Sequence, residues 1–373
     1  MIKRLQIKNF KSLRDVTMHT SNLNLLMGLN SMGKSSVLQS LLMLRQSYYK
    51  NPVLTTLFIN DALISLGNKN DIFFQNAGDD EDIVFSVNDD TDYIETVYDY
   101  KTSSDDVLKA KKTDASKIAF TNFSLFAEGF HYLNANHISP AKTYSFGSNF
   151  LNVLGNSGEN APLYLARHGN DKLTNKALHH PNARSESLAH ELDAWMGEIS
   201  PGTRILAQEM ADINLVRMGI QFETSVKSEN GISKEMSNEF APINVGFGIP
   251  YAMPLILSIL ISNPGDLVFI ENPESHLHPR GQAELGRLIS LASESGVQIF
   301  CETHSDHVIN GCRVAVKNRI INSDNIKLFY FQKKEESNLE TEIIPISVDS
   351  HGELEQYPKG LLDEWGNLMS QLF

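Results

Sequence analysis

Apolar positions along this chain follow two periods, and the order in which those periods alternate predicts its architecture. The opening MIKRLQIKNFKSL reads as a strand, and LNLLMG (Leu23–Gly28) as a buried strand that stops at a glycine. From Ser35, SSVLQSLLMLRQSYY carries Val37, Leu38, Leu41, Leu42 and Leu44 at helical spacing. Strand, glycine loop and helix therefore follow one another. Between about Phe73 and Glu128 polar and apolar residues alternate as in antiparallel strands, with KTSSDDVLKAKKTDASK (101–117) as a hairpin tip or mobile loop.

The region from about 155 to 240 is richer in Gly, Asn, His and Ser. It carries one clear helix, SESLAHELDAWMGEI, and a strand, INLVRMGIQFETSV. No heptad pattern is sustained there, which excludes a long coiled coil. Beyond it come the helix IPYAMPLILSILI, the strand DLVFIE, the helix PRGQAELGRLISLASES, the strand VQIFCETHS, a further helix and the strand IKLFYFQK. Such alternation predicts an α/β fold with a mostly parallel sheet, an antiparallel β lobe and a short helical insertion. The last fifty or so residues read as a strand pair followed by the short helix KGLLDEWGNLMSQLF. The expected division is a head over 1–320, with its insertion at about 155–240, and a small strand–helix extension over 321–373 packed on it. There is no internal repeat.

Composition narrows the function. The 373 residues are 41% apolar and 21% charged, as in an ordinary globular protein. A net charge of −13 argues against a protein that coats nucleic acid, since such binding rests on neutralising phosphates. A local basic face from Lys3, Arg4, Lys8, Lys11 and Arg14 stays compatible with it. The acids of DDEDIVFSVNDDTDYIE (79–95) read as a solvated strand edge and loop. Cys301 and Cys312 are the only cysteines, which fits a reducing cytosol without disulfides. The N-terminus has no signal-peptide pattern, and YAMPLILSILIS is far short of the roughly 20 residues of a membrane span. The expectation is a soluble, cytoplasmic protein without a membrane partner.

GLNSMGKSS matches the P-loop pattern with Gly28, Gly33, Lys34 and Ser35, between a strand and a helix as the motif requires. In that setting backbone N–H groups and the helix N-terminus cradle phosphate. Lys34 would reach the β- and γ-phosphates of ATP, and the Ser35 hydroxyl would ligate Mg²⁺. LVFIENPESHLHP (267–279) ends a buried strand on Glu271, at the carboxyl edge where α/β folds bind ligands. A carboxylate there can hold Mg²⁺ directly or through water. His276 and His278 lack a third ligand, so a metal centre of their own is not favoured. Ser, His and Asp adjoin in THSDH (303–307), but triads are assembled in space, so adjacency is poor support for one. A histidine there fits better as a polar sensor of the γ-phosphate.

The order P-loop, NVGFGIPYAMPLILSIL, FIENPESHLHP, ETHSDH resembles the ATPase heads of the ABC/SMC class, and most closely the RecF- and OLD-type bacterial AAA-family ATPases. IKRLQIKNFKSL and GLNSMGKSS are typical of that branch. FHYLNANHISP, GNSGENAP, ENPESHLHPRGQ, ETHSDHVINGCRVAVK and HGELEQYPKGLLDEW narrow it to a bacterial subgroup with a C-terminal domain of unknown function. The resemblance covers nearly the whole chain. It implies nucleotide binding by Gly28, Asn30, Ser31, Gly33, Lys34, Ser35 and Ser36, and a Walker B acid at Glu271 that holds Mg²⁺ with Ser35. His304 takes the place of the switch histidine and His278 that of the D-loop. Asn244, Gly246 and Gly248, in NVGFG, stand where the ABC signature completes the opposite subunit's site.

The chain departs from the pattern at three places. Ser31 replaces a common P-loop glycine. NVGFG is not the transporter signature, and Gln75 is only a weak Q-loop candidate. Asn272 stands at the usual general-base position, which leaves Glu271 or Glu274 to orient the attacking water and implies slow turnover. The resemblance further implies a homodimer or higher homo-oligomer, closed head to head by ATP, that gates a separate effector (a nuclease or toxin) in antiphage defence. A RecF/SMC-like DNA-binding repair ATPase is the alternative. An OLD-type nuclease would need a Toprim domain, for which the stretch after INSDNIKLFY (321–330) is expected to be too short.

Overall fold

A parallel sheet is built around the first glycine-ended strand. In this computed structural model, which describes residues 1–78, 80–116, 119–147, 151–228, 231–335 and 337–372, Leu23–Gly28 lies between Ile326–Lys334 and Gln298–Glu302. Leu267–Glu271 and Phe130–Leu133 continue outward, all parallel, and Ser337–Ile346 closes the other edge antiparallel. Strands covered on both faces need nearly continuous apolar runs. Because side chains alternate, Leu25, Val268, Ile299 and Leu328 enter one core while Leu26, Phe269, Phe300 and Phe329 enter the other. Helices Leu188–Ile199, Gly248–Leu260, Pro279–Glu294 and Asp306–Lys317 close the first core. Helix Lys34–Lys50 and the antiparallel lobe close the second. Gly248–Leu260 is apolar on every side and buried along nearly its whole length.

The antiparallel lobe runs Leu13–His19, Arg4–Phe10, Ile83–Asn88, Tyr93–Asp99, Val107–Ala115, Thr56–Phe58. Two differences from the sequence reading have a physical cause. The single opening strand is a hairpin, reversed at Lys11, which takes a left-handed φ of 52°. Of the polar run 101–117, Val107–Ala115 is a strand rather than a tip. Its outer face is solvated, and its lysines find acids across the sheet: Lys111 meets Asp82 at 2.8 Å and Lys112 meets Glu95 at 3.4 Å. The acidic run is therefore partly a set of cross-strand partners. Asp79, Lys117 and Phe373, which end the predicted acid run, tip and last helix, lie outside the described residues.

The insertion holds Ala161–His168 and Leu188–Ile199 beside a small antiparallel sheet of Thr203–Met210, Leu215–Ser228, Gly231–Met236 and Thr143–Ser145. Among the described residues the longest helix is Lys34–Lys50, of 17 residues, and no helix is long and apolar enough to cross a membrane. Strand Ile326–Lys334 pairs directly with Leu23–Gly28, so the C-terminal region shares the P-loop sheet.

Helices Pro279–Glu294 and Asp306–Lys317, which follow the two candidate loops, meet backbone to backbone. A Cβ on Gly286 would lie 2.4 Å from the Val308 carbonyl oxygen, and one on Gly311 2.3 Å from that of Ala283. Gly311→Ala is expected to lower unfolding free energy by about 1–3 kcal/mol through this overpacking. Gly197→Ala, where an added Cβ meets nothing within 4 Å, is expected to be neutral or to stabilise by up to about 1 kcal/mol. Denaturant unfolding of the two variants measures the contrast.

Candidate active site

The P-loop is shaped by its backbone. Gly28 has a φ of 133° and an added Cβ would strike the Phe331 carbonyl oxygen at 2.3 Å. Gly33, at φ 97°, caps helix Lys34–Lys50. Between them Ser31, standing where a glycine is common, takes the left-handed φ of 64° itself. Lys34 folds back over the loop, donating to the Gly28 and Leu29 carbonyls at 2.9 Å each. It is 3% exposed, and burial holds its ammonium below its ordinary pKa against the pull of Glu302 and Glu274. Asn30, Ser31, Gly33, Lys34, Ser35 and Ser36 line a cavity of about 480 Å³, together with Lys11, Ser12 and Gln39.

Glu271, Asn272, Glu302 and His304 line the same cavity from the ends of two neighbouring strands. Glu271 and Glu302 are register partners, so two carboxylates stand side by side. Burial, then the charge of Glu302, pushes the Glu271 carboxyl up to about 7. The Tyr132 hydroxyl and the Ala135 N–H, which donate to its two oxygens at 3.1 and 3.2 Å, oppose that rise. Glu302 accepts from the Ser35 hydroxyl at 3.0 Å and lies 4.0 Å from the Lys34 ammonium. Burial raises its pKa as well, only partly offset by Ser35 and Lys34. Serine hydroxyl and carboxylates form a hard-oxygen donor set of the kind that suits Mg²⁺.

Glu274 does not line the cavity. Its oxygens accept from the Thr303 hydroxyl at 2.7 Å and the His304 N–H at 2.8 Å, which ties the acid turn to the histidine loop. His304 stands exposed at the rim, its imidazole held below its ordinary pKa by desolvation on its inner side and then by Lys34. Asn272 occupies a left-handed turn at φ 49°, its N–H bonded to the Glu302 carbonyl at 2.9 Å. Asparagine tolerates that conformation far better than glutamate does. The residue at the usual base position is thus one the turn selects.

The other sequence candidates fall around this centre. Asn244, Gly246 and Gly248 lie outside the cavity, where their segment packs on the acid turn: Gly248 abuts the His276 carbonyl, and the Phe247 and His276 rings are 5.8 Å apart. His278 caps helix Pro279–Glu294, its Nδ1 accepting from the Arg280 N–H at 3.2 Å. Ser305 caps the next helix by accepting from the His307 and Val308 N–H groups at 3.1 Å each, a structural role. Gln75 lines a neighbouring cavity with Phe73 and Tyr100 instead of the P-loop one. In the basic set, Lys8 pairs with Asp15, Arg14 with Glu81, and Lys11 donates to Gln39, so these three do not form a free cationic face. Among the described residues no group of three or more His, Cys, Asp or Glu could hold a metal by itself.

Sequence reasoning missed Glu302, Tyr132 and Gln39, and read Lys11 as part of a basic face rather than of this cavity. Only Glu302 left a trace, as an acid ending an apolar strand just before the histidine loop.

If φ governs position 272, Asn272→Glu should lose about 1 kcal/mol of stability, while Asn272→Gly should stay within a few tenths of that of the parent. Equal losses in denaturant midpoint, with m unchanged, would point to the side chain instead.

Comparison with known proteins agrees with this geometry. A family model described as "AAA domain, putative AbiEii toxin, Type IV TA system" matches residues 23–310, and one described as "Protein of unknown function (DUF3696)" matches 321–372. Among solved structures, an SMC head bound to the C-terminal winged-helix domain of ScpA aligns at 12% identity and a TM-score of 0.53. It covers 93% of this chain and 98% of its own. The Pyrococcus furiosus SMC head with an extended coiled coil, bound to the C-terminal domain of ScpA, aligns at 12% identity and TM-score 0.51 over 100% and 99%. At that identity the likeness establishes the fold alone. No curated protein matches the chain. The match from 23 to 310 takes in P-loop, acid turn and histidine loop together, and the chain belongs to the AAA family so described, with the fold of an ABC/SMC-like ATPase head.

Proposed function

We propose that this chain binds ATP with Mg²⁺, hydrolyses it slowly, and uses the nucleotide to close two heads on each other and so gate a partner effector in bacterial antiphage defence. The observation that carries the nucleotide reading is Lys34: a buried ammonium whose hydrogen-bond partners are two carbonyls of its own loop, which phosphate oxygens would replace. Magnesium, when bound, would supply positive charge that offsets the charge on the phosphates. Ser35 offers the hydroxyl, and the carboxylate ligand comes from the acids that line the cavity, of which Glu302 is the one in contact with Ser35.

Slow turnover follows from the acids. Asn272 supplies no base, and Glu274 stands outside the cavity, where it holds Thr303 and His304. Glu271, with a carboxyl that titrates near 7, is the group best matched to accept a proton from water at neutral pH. Closure of two heads is supported by exposed apolar side chains on the segments that would face each other: Leu29 in the P-loop, and Ile243 and Phe247 beside Asn244 and Gly246. In this reading Asn244, Gly246 and Gly248 complete the partner copy's site. The defence role rests on the toxin–antitoxin description of the family and on the bacterial subgroup the motifs resemble.

Lys34→Ala should abolish saturable ATP binding and lower turnover by roughly 10²–10³-fold, the scale of losing one preorganised charge stabiliser. Unchanged binding and turnover would overturn the nucleotide reading. Wild-type protein mixed with a non-hydrolysable ATP analogue should elute as a dimer by light scattering. Phe247→Glu should still bind nucleotide but remain monomeric. A wild-type protein that stays monomeric at saturating analogue would remove the closure step.

A further inference from the structure

Glu302 has no role in the motif pattern, yet it is the carboxylate in direct contact with the P-loop. It ends strand Gln298–Glu302, which lies between the P-loop strand and the strand of Glu271. Its Oε1 accepts from the Ser35 hydroxyl at 3.0 Å and faces the Lys34 ammonium at 4.0 Å. Its Oε2 is buried and has no hydrogen-bond partner among the described residues, in a residue only 6% exposed that lines the P-loop cavity. A buried, unbonded carboxylate oxygen is costly unless a ligand uses it.

Glu271 is differently placed. Each of its oxygens already has a donor, the Tyr132 hydroxyl on one and the Ala135 N–H on the other. It also stands one strand farther from Ser35. A serine hydroxyl that donates to a carboxylate keeps its lone pairs for a cation, and the same carboxylate's second oxygen is then the adjacent ligand or the acceptor for a cation-bound water. Resting on the ATP reading above, the geometry points to Glu302, rather than Glu271, as the protein carboxylate that completes the magnesium site with Ser35.

The test is binding of a fluorescent ATP analogue to the whole chain, titrated with MgCl₂ from an EDTA-treated start. Glu302→Gln should shift the Mg²⁺ midpoint upward by at least about 10–100-fold, the usual cost of losing even an outer-shell partner of a metal, with metal-free nucleotide affinity unchanged or tighter. Glu271→Gln should keep the wild-type midpoint. A wild-type midpoint in Glu302→Gln, or the shift appearing in Glu271→Gln instead, overturns the assignment. The ATP reading fails separately, if wild type and Lys34→Ala bind the analogue alike, and the assignment falls with it. Should Glu302→Gln not fold, Glu302→Asp carries the test: it keeps the charge, shortens the arm and should show an intermediate shift, whereas an unshifted midpoint overturns the assignment.

Discussion

A charged ammonium at the end of a buried sheet is the constraint from which most of this site follows. An ion removed from water costs several kcal/mol unless it is paired or well hydrogen-bonded. Lys34 meets that demand with two loop carbonyls and a carboxylate 4.0 Å away. The carbonyls are in reach only because Gly28 and Gly33 take backbone angles closed to most residues and Ser31 accepts a left-handed φ. The carboxylate is in reach only because Gln298–Glu302 pairs directly with the P-loop strand. Sheet order, glycine placement and the charge on Lys34 are thus one arrangement.

The same sheet brings more negative charge than the lysine can offset. Glu302 and Glu271 are register neighbours, and their burial raises both carboxyls. Lys34 relieves Glu302, while Glu271 has only neutral donors. Such a pair favours any state that adds positive charge to the cavity. The helices behind the loops hold this edge in register: Gly286 and Gly311 let Pro279–Glu294 and Asp306–Lys317 approach closely, and those helices begin at the acid turn and the histidine loop.

Much of this was legible in the sequence. The apolar runs LNLLMG, LVFI and QIFC announce strands buried on both faces, and GLNSMGKSS between a strand and a helix announces a phosphate cradle. What stayed hidden depends on partners brought together by the sheet. Val107–Ala115 looked like a loop because its lysines are matched by distant acids, Asp82 just before one strand and Glu95 on another. Glu302 looked like a strand-end acid because its contact with Ser35 crosses from one strand to the next. Asn272 was legible only as a departure at the general-base position, because a backbone angle is invisible to residue-type patterns.

Glu274 joins these threads. Its carboxylate accepts from the Thr303 hydroxyl and the His304 N–H from outside the cavity, so its place in the structure is to hold the histidine loop. With Asn272 committed to its turn, the Glu271–Glu302 pair alone, among the described residues, lines the cavity with carboxylate. If one of that pair attends the cation, the other is left for the water, and the division of labour is set by which oxygen is still unbonded. That oxygen is Glu302 Oε2, on the carboxylate bonded to Ser35, so in the proposed reading the metal falls to the P-loop side of the edge and proton transfer to Glu271.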